Sequence, residues 1–132
     1  MGILNAAELL KPIPIETVDK EIDGVGTVRI RQISLADMNK NDAWQRPGGV
    51  PNKWRIENNR WKLVAACLVD EAGRNLFDFP DTKSGNEAFK EFVETIGNGG
   101  IGHWNDIRYE VLVVNGWIKE VEDEPEADLL GK

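Results

Sequence analysis

One cysteine, one histidine and one tyrosine stand in a chain of 132 residues, and each scarcity closes a chemical route. With Cys67 alone, no intrachain disulfide forms, and a reducing compartment fits. Cys67 and His103 are the only thiol and imidazole. A nucleophilic Cys–His pair needs the two side by side with a third group to orient the base. Cys67 instead lies beside an apolar helical stripe, where an inert buried cysteine belongs. His103 stands at a glycine-flanked helix start, a capping or solvated position. Long apolar runs are missing too: none approaches the roughly 20 residues that cross a bilayer, so no membrane association is expected. Met1 to Leu10 lacks the charged start and long apolar stretch of a secretory signal, so residence in the cytoplasm is expected. Positive charge is in deficit. There are 16 basic against 23 acidic residues, a net charge of −7 and a pI near 4.8, and such a chain is repelled by a phosphate backbone. Lys53, Arg55, Arg60 and Lys62 do form a basic cluster, but Glu57 interrupts it, and it reads as the wet face of a helix. Nucleic acid is not an expected partner.

What is present is enough for a core. The chain is 41% hydrophobic, and at this length a single domain buries roughly two-thirds of its unfolded surface. Residues 1–12 read as an N-terminal arm with one weak helical turn carrying Leu4, Ala7 and Leu10. Lys11-Pro12-Ile13-Pro14 ends that turn, because two close prolines favour extended backbone. Ile13, Ile15, Thr17 and Lys20–Ile22 then alternate imperfectly, Asp23-Gly24-Val25-Gly26 signals a turn, and Thr27 to Ile33 alternate cleanly. Two such runs around a glycine-rich turn predict a β-hairpin. Ser34 is placed to cap a short helix, about Leu35 to Trp44, with Asp37 in its first turn. Pro47-Gly48-Gly49-Val50-Pro51 must be loop.

Trp54, Trp61, Val64, Ala65 and Leu68 make one stripe and predict the best helix of the chain. Val69 to Phe77 reads as a tight turn between two short apolar pieces. Ser84 is placed to cap another helix with Phe89, Phe92, Val93 and Ile96 at helical spacing, and Gly97-Asn98-Gly99-Gly100 stops it. A last helix, about His103 to Val114, carries Trp104, Ile107, Val111 and Val114. The expected fold is α+β, an N-terminal hairpin packed on three to four helices within residues 13–118. Residues 119–132 are dense in like charge and read as a flexible acidic tail.

No spacing specifies a catalytic, cofactor or metal site. Gly97 to Gly102 has the glycine spacing of a dinucleotide loop, but that motif works only between a strand and a helix, and here a helix precedes it. Asp70, Glu71, Asp78 and Asp81 do not have calcium-loop spacing, and Gly73 is misplaced for one, so turn and cap roles are expected. Of the five tryptophans, Trp54, Trp61 and Trp104 lie on apolar stripes and are expected in the core. Trp44 and Trp117 stand at element edges, where either local packing or anchoring of a partner would suit them.

The order of features resembles the tail assembly chaperones of long, flexible-tailed phages and prophages. Val25 to Asp37 looks like the opening strand and capped helix of that group. Trp61 to Phe77 looks like its middle signature, a helix ending in Asp-Glu-x-Gly-x-x-Leu-Phe. A phenylalanine-rich helix and a last helix ending in Asn115-Gly116 follow in the same order, and the likeness spans roughly residues 13–118. The Gly97–Gly102 linker departs from it, being longer and richer in glycine. The resemblance implies a non-enzymatic protein without cofactors that binds the tape-measure protein, helps recruit the tail-tube protein, and is absent from the mature virion. Partner-binding candidates are Trp44, Trp117 and the tail acids Glu120, Glu122, Asp123 and Glu124, and a homo-oligomer is compatible with the same role. Two other classes stand beside this reading: a small enzyme with an unrecognised site, and an acidic inhibitor or DNA mimic.

Overall fold

The computed structural model describes residues 2–11, 14–100 and 102–118. Its elements are α1 (Ala6–Leu9), β1 (Thr17–Ile22), β2 (Gly26–Arg31), α2 (Leu35–Trp44), a 3-10 turn (Pro47–Gly49), α3 (Lys53–Glu57), α4 (Asn59–Cys67), β3 (Leu68–Val69), α5 (Lys83–Asn98) and α6 (Gly102–Val114). The fold is α+β. The acidic segment 119–132 lies outside the described residues, and with it the expectation that it is flexible.

The hairpin forms where alternation and turn chemistry agree. β1 and β2 pair antiparallel from Thr17↔Arg31 to Ile22↔Gly26. Gly24 supplies the positive φ of the turn, +80°, which costs a residue without a Cβ little. Period-two geometry sends Ile22, Val28 and Ile30 to one face, and Ile22 and Ile30 are buried there. On the other face Asp19 and Arg29 sit directly opposite and are joined by a two-pronged ion pair. The sheet has a third strand that the sequence pattern did not reveal, as β3 pairs with β2 through Arg29↔Val69 and Ile30↔Leu68. Leu68 continues the apolar stripe of α4, so its spacing is helical although its backbone is extended.

Two helix boundaries also differ from expectation. The stripe from Trp54 to Leu68 is not one helix. It breaks at Asn58, which closes α3 and opens α4. Asn52 caps α3 through its side chain, and asparagine tolerates such junctions because its amide hydrogen-bonds nearby backbone. The cap of α5 is Thr82 rather than Ser84, with Thr82 Oγ1 accepting from Gly85 N at 3.1 Å. Ser34 caps α2 as expected, accepting from Asp37 N.

The core joins sheet and helices. Ile22, Ile30 and Leu68 meet Trp61, Val64 and Cys67 of α4, Phe89 and Ile96 of α5, and Ile107 and Val111 of α6. Ion pairs mark two of the seams. Lys20 reaches Glu110 of α6, and Arg31 reaches Asp37 in the first turn of α2. Trp61 is buried and packs edge-on against Trp104 at 6.4 Å. Trp61→Ala is expected to lower unfolding free energy by about 3–5 kcal/mol in denaturant titration. Gly85 makes a test of opposite sign to helix propensity. It is buried, and a Cβ there would fall on the Pro80 carbonyl oxygen. In an open helix Gly→Ala stabilises by about 1 kcal/mol, yet Gly85→Ala is expected to destabilise by about 1–3 kcal/mol through overpacking.

Candidate functional site

Phe89 of α5 has no exposed surface, and aromatic rings from three other parts of the chain close around it together with Phe92 of the same helix. Trp44 of α2 lies edge-on at 5.2 Å, Trp54 of α3 at 5.8 Å, Phe79 of the loop before α5 at 5.4 Å, and Phe92 stacks at 6.2 Å. Trp44 therefore belongs to the core. It is 3% exposed, and its Nε1 donates to Asn86 Oδ1 at 2.9 Å. That overturns its reading as a surface anchor: the edge of a helix in the sequence is the centre of a ring cluster in space. Trp54, expected in the core, is 38% exposed, because the break at Asn58 turns α3 away from the stripe of α4.

The basic cluster is divided by the same rings. Lys53 and Arg60 stay in solvent, but Arg55 and Lys62 turn inward. Arg55 donates to the Trp44 carbonyl at 2.8 Å and faces Asp81 at 3.7 Å. Lys62 Nζ donates to the Phe79 carbonyl at 2.7 Å and lies 4.6 Å from the Trp44 ring centre and 5.1 Å from that of Phe89. This lysine lines a cleft of about 590 Å3 between α2, α4 and the segment Asn75–Asp81. Desolvation pushes its ammonium pKa below the usual lysine value. Asp81 opposes that shift, Arg55 adds to it, and Asp78 opposes it. The sequence signal for such a position was its place beside Trp61, at the border of an apolar stripe, where a lysine stem can lie on apolar surface.

A second surface gathers where the start of β1, the end of β2 and the end of α6 meet. Glu16 and Gln32 bond each other, with Gln32 N donating to Glu16 O at 2.9 Å and Glu16 N to Gln32 Oε1 at 3.1 Å. Gln32 Nε2 donates to Val114 O at 3.3 Å, and Ile33 N donates to Asn115 Oδ1 at 2.8 Å. This node ties the start of β1, the end of β2 and the end of α6 together. Gly116, at φ +74°, then reverses the chain so that Trp117 N reaches Leu112 O. Ile15, Leu35, Trp117 and Ile118 are all near neighbours of the node in sequence and are all exposed. They form an apolar end to the domain. Trp117, for which the sequence left local packing and partner anchoring both open, is 40% exposed. In the N-terminal arm Ile3, Leu4, Leu9 and Leu10 are exposed, and α1 buries no residue. Glu120, Glu122, Asp123 and Glu124, which follow Ile118, lie outside the described residues.

The remaining candidates have structural roles. Cys67 is fully buried, burial pushes its thiol pKa up, and Asn115 Nδ2 points at its sulfur from 3.6 Å. His103 is exposed at the start of α6, against the ring of Trp104. Asp70 organises its turn by accepting from Ala72 N and Arg74 N, both at 2.9 Å, and these bonds hold its carboxyl below the usual pKa. Among the described residues no group of three or more His, Cys, Asp or Glu is placed to hold a metal ion, and no helix is long and apolar enough to cross a membrane. Gly99 caps α5 by donating to Thr95 O, and α6 begins at Gly102, so the glycine-rich segment joins two helices.

Comparison with known proteins yields no match to a family model, to a curated protein or to a solved structure.

The depressed pKa of Lys62 has a thermodynamic consequence. The unfolded chain holds this proton more tightly than the folded one, so folding stability rises with pH from the folded pKa up to the ordinary value of 10.5. Lys62→Met keeps the stem and removes the titration. The stability of the native protein minus that of Lys62→Met is expected to rise as pH increases through that window. A difference independent of pH, or falling with pH, would contradict the desolvated ammonium.

Proposed function

We propose that this protein is a phage tail assembly chaperone, a non-enzymatic binder acting in the host cytoplasm. It holds the tape-measure protein soluble, helps recruit the tail-tube protein, and does not remain in the mature virion. The resemblance of residues 13–118 to that group supports the identity. The observation that carries the binding role is the apolar end, where Ile15, Leu35, Trp117 and Ile118 are exposed around the Gln32–Val114 node. An exposed tryptophan with aliphatic neighbours has the composition of an interface hot spot.

Charge supports the choice of partner. The chain carries −7 overall, and after Ile118 and Lys119 six acids stand from Glu120 to Asp128. An amphipathic helix with an apolar stripe and flanking lysines or arginines is complementary to an apolar end whose chain continues into acidic sequence. The tape-measure protein, an elongated and largely helical chain, supplies such segments. Tail charges act at longer range than the apolar contacts, so they raise the encounter rate and add little to the bound state.

The test is co-expression with a phage tape-measure protein, followed by pull-down and binding kinetics. Association is expected, with tape-measure solubility dependent on this chain. Trp117→Ala is expected to raise the dissociation rate, and charge reversal across Glu120, Glu122, Asp123 and Glu124 to lower the association rate and its salt dependence. No association, with the tape-measure protein equally soluble alone, would overturn the reading.

A further inference from the structure

A groove of about 470 Å3 lies between α3 and the start of α5, and it shares no lining residue with the Lys62 cleft or the apolar end. Its apolar wall is the Trp54 ring, 38% exposed. Phe89 meets that ring edge-on at 5.8 Å, so the outward part is held in one place. Lys83, Glu87 and Lys90 line the other wall, and their spacing puts them on one face of α5. Arg55 is already bonded to the Trp44 carbonyl and faces Asp81. Lys83 and Lys90 are exposed, and among the described residues neither has an ion-pair partner. Two lysines without counter-charges beside an exposed tryptophan stand out in a chain of net charge −7.

We propose that this groove docks residues 120–130 of its own chain, with carboxylates of the acidic run facing Lys83 and Lys90 and with Leu129 and Leu130 against the Trp54 ring. The chemistry is complementary. That segment holds six acids from Glu120 to Asp128 and then two leucines, and the groove offers two lysines and an indole. The distance is also within reach. Ile33 N donates to Asn115 Oδ1 at 2.8 Å, so α2 starts beside the end of α6. The ten residues of α2, at about 1.5 Å each, carry about 15 Å to Trp44. Trp44 Nε1 donates to Asn86 Oδ1 in the groove wall at 2.9 Å. Residues 119–128 extend up to about 33 Å, enough to bring Leu129 to the groove. Single exposed ion pairs are weak, but attachment through the same chain presents the acids at an effective concentration of about millimolar. Docking in this way covers the Trp54 ring and gives Lys83 and Lys90 counter-charges.

The experiment uses the full chain with Ala127→Cys carrying a nitroxide; Cys67 has no exposed surface and stays unlabelled. Paramagnetic broadening is read by NMR at low salt. The Trp54 indole Nε1–H and the amides of Lys83 and Lys90 are expected to lose most of their intensity. They should recover it in about 1 M salt, where charges are screened within about 3 Å, and in the double variant Lys83→Glu, Lys90→Glu, whose sites are exposed and leave the fold intact. A mixture of isotope-enriched unlabelled protein with unenriched labelled protein is expected to show no broadening. Full intensity at Trp54, Lys83 and Lys90 at low salt, or broadening that survives the double variant, would overturn the proposal. Broadening in the mixture would overturn it in favour of docking between copies. No tape-measure protein enters the experiment, so its outcome leaves the proposed binding at the apolar end to its own test.

Discussion

The structure depends most on what Phe89 gathers. This one side chain, without exposed surface, brings together rings from α2, α3, α5 and the loop before α5. None of those elements is long or strongly amphipathic except α5, and α3 is five residues, too short to persist on helix propensity. Each stands in place because an aromatic ring from it reaches the same point. Edge-on geometry at 5–6 Å adds attraction beyond the area buried. Lys62 and Arg55 close the cluster from the polar side, one by its bond to the Phe79 carbonyl and the other by its bond to the Trp44 carbonyl.

That clustering decides which surface is left for function. It draws in Trp44 and two of four basic residues, so the side of the molecule around α2 and α4 offers a cleft rather than an apolar face. The opposite requirement acts at the end where Glu16, Gln32 and Asn115 form their node. There the hydrogen bonds are made by polar side chains and backbone, and the apolar residues around them face outward. A molecule built this way has a hydrogen-bonded polar frame beside exposed apolar residues.

Much of the fold was legible in the sequence, and the failures have physical causes. The hairpin was readable because alternation and Asp23-Gly24 turn chemistry agree. The bounds of α2 were readable because Ser34 and Asp37 form a cap and Gly48 and Pro47 follow. β3 was not, since Leu68 and Val69 are too short for a period and continue a helical one. The break at Asn58 was hidden because Trp54 and Trp61, seven apart, fit one helix as well as two. Trp44, for which local packing and partner anchoring were both open, and Lys62, read as part of a wet helix face, share one cause: local pattern does not show the burial of a tryptophan at a helix end or of a lysine on a helix face. Only the convergence on Phe89, 45 and 27 positions away in the chain, buries them. Of the apolar end, the sequence singled out only Trp117, as a residue that either packs locally or anchors a partner. Ile15 and Leu35 join it through bonds between residues 82 apart, such as Gln32 and Val114, which no local pattern can show.

The central claim is that partners dock on the apolar end. Amide hydrogen exchange, measured for the protein alone and with a saturating lysine-rich amphipathic helical segment of the tape-measure protein, tests it most directly. The account predicts new protection at Ile15, Leu35, Trp117 and Ile118, with the Lys62 cleft unchanged. Protection confined to α2, α4 and the segment Asn75–Asp81, with the apolar end exchanging as before, would contradict it.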